Sequence, residues 1–374
     1  MLNTEEIKQL IAKNTEEVIG EKDLDHLLQT NTQLNHYIGF EISGLMHLGT
    51  GMMTALKIRD FVKAGVKCRI LLADWHTWIN HKLGQDIDLI RDVALGYFKG
   101  MFEEIFKLVG IPDGEVELIL GSDLYHNNDK YWFTVVDVAD SLSLGRIKQM
   151  LEIMGRSSSE EMRFSRLIYP TMQIADHYIM HLNLVHSGTD QRKATVKGRE
   201  VANRLRVSPI HDTEGSIIKP VGVTHHLLQG LQKPDIWPIT EELSPQMRTS
   251  LKMSKSIPGS AIWVHDSPEE IRSKIKDAFC PPGIAEFNPI MDWCKHFIFE
   301  FTDELYIKRL EKHGGDLTFR NYNELEELYV ANGLHPDDLK NAVIKLLVQL
   351  LTPVRVRAED YADIIHKLGE LNKK

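Results

Sequence analysis

Lys252-Met253-Ser254-Lys255-Ser256 sets two lysines three residues apart in a stretch rich in Ser, Pro and Gly. Ammonium groups on a loop that closes over a triphosphate neutralise the charge that builds as pyrophosphate departs. Far upstream, a short apolar run leads into Gly39-Phe40-Glu41-Ile42-Ser43-Gly44-Leu45-Met46-His47-Leu48-Gly49-Thr50-Gly51, and a helical pattern begins there. Gly39 and Gly49 withhold side chains where a nucleotide has to lie close. The free N–H groups of the new helix favour an anionic phosphate, and His47 adds a donor to the same group. Neither a Gly-x-Gly-x-x-Gly nor a P-loop sequence is present, which weighs against the common dinucleotide and NTPase readings.

A third group is Tyr169, Gln173 and Asp176, spaced i, i+4 and i+7 so that they share one helix face. A carboxylate among apolar neighbours requires a donor, and a phenol hydroxyl is a suitable one. Tyr37, near the start of the first apolar run, is placed to give that hydroxyl a second hydrogen bond. Gly188-Thr189-Asp190-Gln191-Arg192-Lys193 follows another apolar run, the crevice position where open α/β sheets bind ligands.

The elements that must position these groups are those of an α/β chain. Strands are expected at Tyr37 to Phe40, Arg69 to Ala73, Val116 to Leu120 and Leu184 to Ser187, each followed by a helix-period segment. This implies a doubly wound, Rossmann-like parallel sheet. The stretch from Tyr131 to Met180 reads as helical throughout and is too long for a simple crossover, so a helical insertion is expected at about 123–168. The lysine-containing loop spans about 232–260. Ser267-Pro268-Glu269-Glu270 then reads as a capped helix start, and Cys280-Pro281-Pro282-Gly283 as a break. The domains expected are a catalytic one over 1–280 and an α-helical one over 281–374.

At 374 residues, two domains are the natural expectation. A net charge of −9 argues against a surface that grips nucleic acid everywhere, although the stretch from Lys340 to Lys374 is locally basic. Cys68, Cys280 and Cys294 have no paired metal spacing, and no metal ligands are assigned. The opening residues, Met1 to Gly20, lack a signal-peptide pattern, and no membrane association is indicated, so a cytoplasmic location is expected.

The His-Leu-Gly segment and the Lys-Met-Ser-Lys-Ser loop, in that order after a βα region, resemble the two signatures of class I aminoacyl-tRNA synthetases. Thr50 departs from the second histidine of the usual His-x-Gly-His motif, so one phosphate donor is a hydroxyl here. Tyr37-Ile38-Gly39-Phe40-Glu41 and Tyr169 to Asp176 narrow the likeness to tyrosyl-tRNA synthetases of the archaeal and eukaryotic type, over most of the chain. That resemblance implies that Tyr37 and Asp176 bind the phenol hydroxyl of L-tyrosine, while Tyr169, Gln173 and Gln191 hold its amino group. It implies that His47, Thr50, Lys252 and Lys255 stabilise the transition state. ATP would lie against Gly39, Gly49, Asp190, Met253, Ser254 and Ser256, with Asp190 near the ribose and Mg²⁺ on the pyrophosphate.

By the same resemblance, Arg192 and Lys193 reach the first base pair of the tRNA(Tyr) acceptor stem, and His335 and Asp338 read the first anticodon base. His313 stands where this type often has a stacking Phe. Read alone, Pro336-Asp337-Asp338 is simply a helix start with acids in its first turn. A homodimer through residues near Tyr131 to Met154 is also implied. Three rivals remain at this point: tryptophanyl-tRNA synthetase, whose indole N–H would also need a carboxylate; a catalytically silent RNA-binding relative; and a nucleotidyltransferase using the same His-x-Gly turn.

Overall fold

The computed structural model describes residues 2–152, 163–239, 247, 250–255, 257 and 259–371. Ser256 and parts of the segments at 123–168 and 232–260 lie outside the described residues. The chain forms two compact units, Met1–Ser43 with Lys57–His225, and Gly44–Leu56 with His226–Lys374. The sequence boundary near 280 falls inside the second unit.

The first unit holds a six-stranded sheet of β1 (Thr15–Ile19), β2 (His36–Phe40), β3 (Cys68–Leu72), β4 (Val116–Leu120), β5 (Leu184–Gly188) and β6 (Val221–His225). Their order is β1-β6-β5-β2-β3-β4. Every neighbouring pair is parallel except β1 with β6. This is the α/β, Rossmann-like architecture expected. Strand β2 lies between β5 and β3, with Tyr37 opposite Val185 and Ile38 opposite Ile70. Chain order reverses across β2 and β5, which puts a ligand crevice at their carboxyl ends.

β2 to β5 match the four expected strands to within a residue or so at each end. β1 and β6 are additions. All five residues of β6 are buried, so it lacks alternation, while Glu16 and Glu17 mark β1 as a charged edge strand. Within the expected insertion, helices run over Asp129–Asp140 and Leu144–Glu152, with a short break between them, and a further helix runs over Ser165–Ile179.

Two polar devices tie the first unit together. Lys57, 3% exposed, donates through Nζ to the carbonyls of Leu10 (2.9 Å), Ile11 (2.6 Å) and Lys13 (2.7 Å). It thereby satisfies the carboxyl end of the helix Thr4–Ala12. Buried His36, His186 and His225 form a hydrogen-bonded row across three adjacent strands, with N···N distances of 3.0 and 2.8 Å.

In the second unit, Ser267 and Glu270 form the expected capping box on the helix Pro268–Asp277. That helix packs on the helix Pro336–Leu350, where Lys340, 9% exposed, donates to the carbonyl of Lys276 at 2.8 Å. Lys340 is therefore withdrawn from the basic surface that its charge suggests in sequence. A short antiparallel hairpin, β7 (Leu305–Ile307) with β8 (Leu317–Phe319), lies within a stretch that reads as mostly helix. Among the described residues no helix is long and apolar enough to cross a membrane.

Candidate active site

The helix Ser165–Ile179 lies against the helix Asp129–Asp140 and carries Tyr169, Gln173 and Asp176. Asp176 is fully buried. Its Oδ1 accepts from Tyr131 Oη at 3.0 Å, whereas Oδ2 has no hydrogen-bond partner and lies 3.9 Å from His76 Nε2. Burial pushes the Asp176 carboxyl well above the usual carboxylate range, while the hydrogen bond from Tyr131 opposes that shift. A buried carboxylate oxygen left open in this way is the feature a donor from a ligand would satisfy.

Tyr37, on β2, belongs to a buried cluster with Leu71, Ala73 and Leu182. The edge of its ring meets His177 at a centroid distance of 5.4 Å. Gly39, two residues on and on the same side of the strand, leaves room for the Tyr37 hydroxyl, which a β-carbon at Gly39 would overlap. Burial raises the Tyr37 phenol well above its ordinary value, and the nearby Asp176 carboxylate adds to the rise, so the hydroxyl stays protonated.

Tyr169 Oη donates to Glu41 Oε1 at 2.6 Å, an oxygen that also accepts from Asn80 Nδ2 at 2.5 Å. The ring of Tyr169 stands edge-on to His76 with centroids 4.5 Å apart. Gln173 and Gln191 are half-buried, and Asp190 and Gln191 form the turn that follows β5.

The second unit holds His47 with Gly49 and the Lys252–Lys255 segment. The amide of Thr50 donates to His47 Nδ1 at 3.2 Å, which leaves the ring hydrogen on Nε2, 3.2 Å from Thr50 Oγ1. Burial, reinforced by the positive charges of Lys255 and Lys252, lowers the His47 pKa to about 3. The ring is thus a neutral donor at physiological pH. A β-carbon on Gly49 would come within 3.1 Å of the same ring, so glycine there makes space for His47.

Sequence alone suggests a free loop around Lys252, but the structure anchors its start. Gly230 donates to the Leu251 carbonyl at 2.7 Å and Met253 to that of Leu228 at 2.9 Å. Ser260 Oγ donates to the Ser254 carbonyl at 2.8 Å. Met253 is buried, and Lys252 and Lys255 are half-buried.

The residues suggested for tRNA contact are on the surfaces of their units. Arg192 makes a paired contact with Glu17, Nε at 2.5 Å and Nη2 at 2.8 Å. With Lys193, Lys197, Val196, Gln149 and Met150 it lines a shallow groove. His335 caps the helix Pro336–Leu350, accepting from the Asp337 amide at 3.2 Å. Asp338 is in the first turn, and His313 is exposed.

Sequence reasoning passed over Tyr131 and His76 as neighbours of Asp176, and Glu41 and Asn80 as neighbours of Tyr169. Tyr131 falls in the stretch expected near a two-fold interface, yet it is fully buried within its own unit against Asp176. The periodicity of its helix would have put it on the inward face with Val135 and Val138. The other three offered no signal without the fold.

The fold and these segments define a class I aminoacyl-tRNA synthetase. Residues 29–352 match the family described as tRNA synthetases class I (W and Y), and the chain belongs to that family. It is 48% identical over 353 residues to the tyrosine–tRNA ligase of Pyrococcus abyssi, covering 94% of each chain. It is 46% identical over 367 residues to that of Thermococcus kodakarensis, covering 98% and 97%. Among solved structures, a tyrosyl-tRNA synthetase from Pyrococcus horikoshii complexed with L-tyrosine superposes with a TM-score of 0.93 at 45% identity, over 99% of this chain and 100% of that one. A tryptophanyl-tRNA synthetase from Aeropyrum pernix K1 reaches 0.66 at 16% identity, over 93% and 84%, a likeness of fold alone.

Proposed function

We propose that the open Oδ2 of Asp176 receives the phenol hydroxyl of L-tyrosine, and this observation carries the assignment of the pocket. The chain is a tyrosine–tRNA ligase, activating tyrosine with ATP and transferring it to the terminal adenosine of tRNA(Tyr). Tyr37 supplies the second contact to the substrate hydroxyl. Tyr169, Gln173 and Gln191 hold the ammonium group, with Glu41 fixing the Tyr169 hydroxyl and adding negative charge. A site built to bond a hydroxyl rejects phenylalanine by about 10⁴- to 10⁵-fold, the handicap of leaving buried polar groups unpaired; this enzyme type is the standard example.

In the first step the tyrosine carboxylate oxygen attacks the α-phosphorus of ATP in line, and the bond to the bridging oxygen breaks to release pyrophosphate, whose charge a Mg²⁺ ion would help neutralise. His47, as a neutral donor, and Lys252 and Lys255, as cations, stabilise the charge that develops on the phosphates and exchange no proton. Thr50 orients the imidazole and offers its own hydroxyl. Gly39, Gly49, Asp190, Met253, Ser254 and Ser256 make up the rest of the ATP contacts in this reading. In the second step a ribose hydroxyl of the tRNA attacks the adenylate carbonyl and AMP leaves.

The groove lined by Arg192, Lys193 and Lys197 supports contact with the acceptor stem, with Arg192 exchanging Glu17 for phosphate or base. We assign anticodon reading to His335 and Asp338 in the helical region 281–374, and catalysis to 1–280. Exposed Phe133, Val136 and Leu144 support a homodimer contact on the outer side of the inserted helices. A cytoplasmic location, where ATP and tRNA are available, completes the reading.

Exchange of labelled pyrophosphate into ATP with Tyr, Trp and Phe tested separately decides the matter. Exchange with tyrosine alone, lost in Asp176→Ala, is expected. Exchange of undiminished rate in Asp176→Ala would remove this carboxylate from the pocket.

A further inference from the structure

Helix Pro289–His296 carries Asp292 and His296 one turn apart on one face, and His226 comes to them from 66 residues upstream in the same unit. One ligand-capable atom from each of the three lies within 4.8 Å of the others. His226 Nε2 is 2.8 Å from Asp292 Oδ1, and the imidazoles of His226 and His296 stack with centroids 3.8 Å apart at 20°. Asp292 is 8% exposed, and its second oxygen accepts from the Gln229 amide at 3.0 Å.

We propose that His226, Asp292 and His296 bind a divalent transition-metal cation of the zinc type, and that the ion ties the Leu228–Gly230 segment to the helix Pro289–His296. Two imidazoles and a carboxylate are a donor set for zinc and its neighbours, not for magnesium, which takes oxygen ligands and retains water. Tetrahedral bonds of about 2.1 Å set ligand atoms roughly 3.4 Å apart, so the ion takes the place of the His226–Asp292 hydrogen bond and the two imidazoles turn out of their stack to aim in-plane lone pairs at it. The Gln229 amide already orients the carboxylate from behind, as outer partners do at metal centres. Water takes the fourth position, since both histidines are only half-buried.

The consequence reaches Lys252. The Gln229 carbonyl is held by Trp293 Nε1 at 2.9 Å, from the same helix that supplies Asp292 and His296. On its other side the segment pairs with the signature loop: Gln229 bridges Lys252, Leu228 accepts from Met253, and Gly230 donates to Leu251. An ion at the cluster therefore makes the strand that seats Lys252 harder to displace. Any effect on turnover rests on the phosphate role given above to Lys252 and Lys255; binding of the ion does not.

The test is dialysis of the full chain against Zn²⁺ and then against buffer with excess Mg²⁺ and no zinc, followed by elemental analysis. About one zinc per chain is expected in the wild type and little in His226→Gln or in His296→Phe, which keeps the ring stack but has no ligand. Equal zinc in all three proteins, or none in any, overturns the site. Co²⁺ substitution reads the donors without mutation: visible bands without sulfur charge transfer support it, and a thiolate band would assign the ion to a cysteine instead. At free zinc ten times the Kd, exchange of the Gly230 and Met253 amides should slow by about 10-fold in the wild type alone. Unchanged exchange with zinc bound would leave an ion site but overturn the tie to the loop. Pyrophosphate exchange measured in parallel keeps failure of the metal site distinct from failure of the phosphate reading.

Discussion

Tyr131 Oη donates to one oxygen of the Asp176 carboxylate at 3.0 Å and leaves the other oxygen without a hydrogen bond. The tyrosine thus orients the acid while leaving its second lone-pair site for a ligand. Tyr131→Phe is expected to raise the KM for tyrosine by up to about 10-fold, because a typical intramolecular hydrogen bond contributes about 0.5–1.5 kcal/mol. Asp176→Asn should be more damaging, since an amide presents a donor where an acceptor is needed. Pyrophosphate exchange across tyrosine concentrations separates the two; equal KM in Tyr131→Phe and wild type would refute the orienting role.

Gly39→Ala tests how closely the Tyr37 hydroxyl approaches its own strand. The added β-carbon overlaps that hydroxyl, and overpacking of this kind costs about 1–3 kcal/mol. Weaker tyrosine binding and a lower Tm are expected together, read by equilibrium binding and thermal unfolding. Normal binding would mean that the ring relaxes without loss.

Lys252→Ala and Lys255→Ala should each lower kcat for activation by about 10²- to 10³-fold and leave the KM for tyrosine nearly unchanged, as expected for groups that act on the transition state. Single-turnover formation of the adenylate measures this directly. A change confined to KM would make the lysines ground-state binders only.

Acid should unfold this protein early. Burial lowers the pKa of His36 to about 3 and those of His76 and His177 to about 4, against about 6.5 in an unfolded chain. Between those limits the unfolded state binds more protons than the folded one, so stability is intact above about pH 6.5 and is lost as pH falls toward 3–4. Each such histidine contributes up to about 1.4 kcal/mol per pH unit in that window. Denaturant unfolding from pH 7.5 to 4.5 checks the slope; a flat profile would contradict the burial of these rings as neutral groups.

Arg192→Ala should spare stability, because exposed ion pairs such as that with Glu17 contribute only about 0–1 kcal/mol. Aminoacylation should show a raised KM for tRNA while pyrophosphate exchange stays at the wild-type rate. Parallel loss in both assays would place Arg192 in activation instead.

Much of this was legible in sequence because the signals are local. Apolar runs marked β2 to β5 within a residue or so, the Ser267–Glu270 box marked its helix, and the spacing of Tyr169, Gln173 and Asp176 marked a helix face. What escaped depends on tertiary neighbours. β6 has no alternation because both faces are covered. Tyr131 and Asp176 meet only when two helices pack, and Glu41 gains its part from Asn80 and Tyr169. His226 and Asp292 come together through the fold of the second unit, which no sequence spacing announces.

The ammonium of Lys57 has consequences for anyone trimming this protein. It is buried under three carbonyls contributed by Leu10, Ile11 and Lys13, so removal of residues 1–13 would strand a cation in the interior, a loss of about 3–5 kcal/mol for a broken buried contact. Tags are better placed ahead of Asn3, which caps the helix Thr4–Ala12 in a capping box with Glu6. The first thirteen residues are part of the scaffold of the first unit.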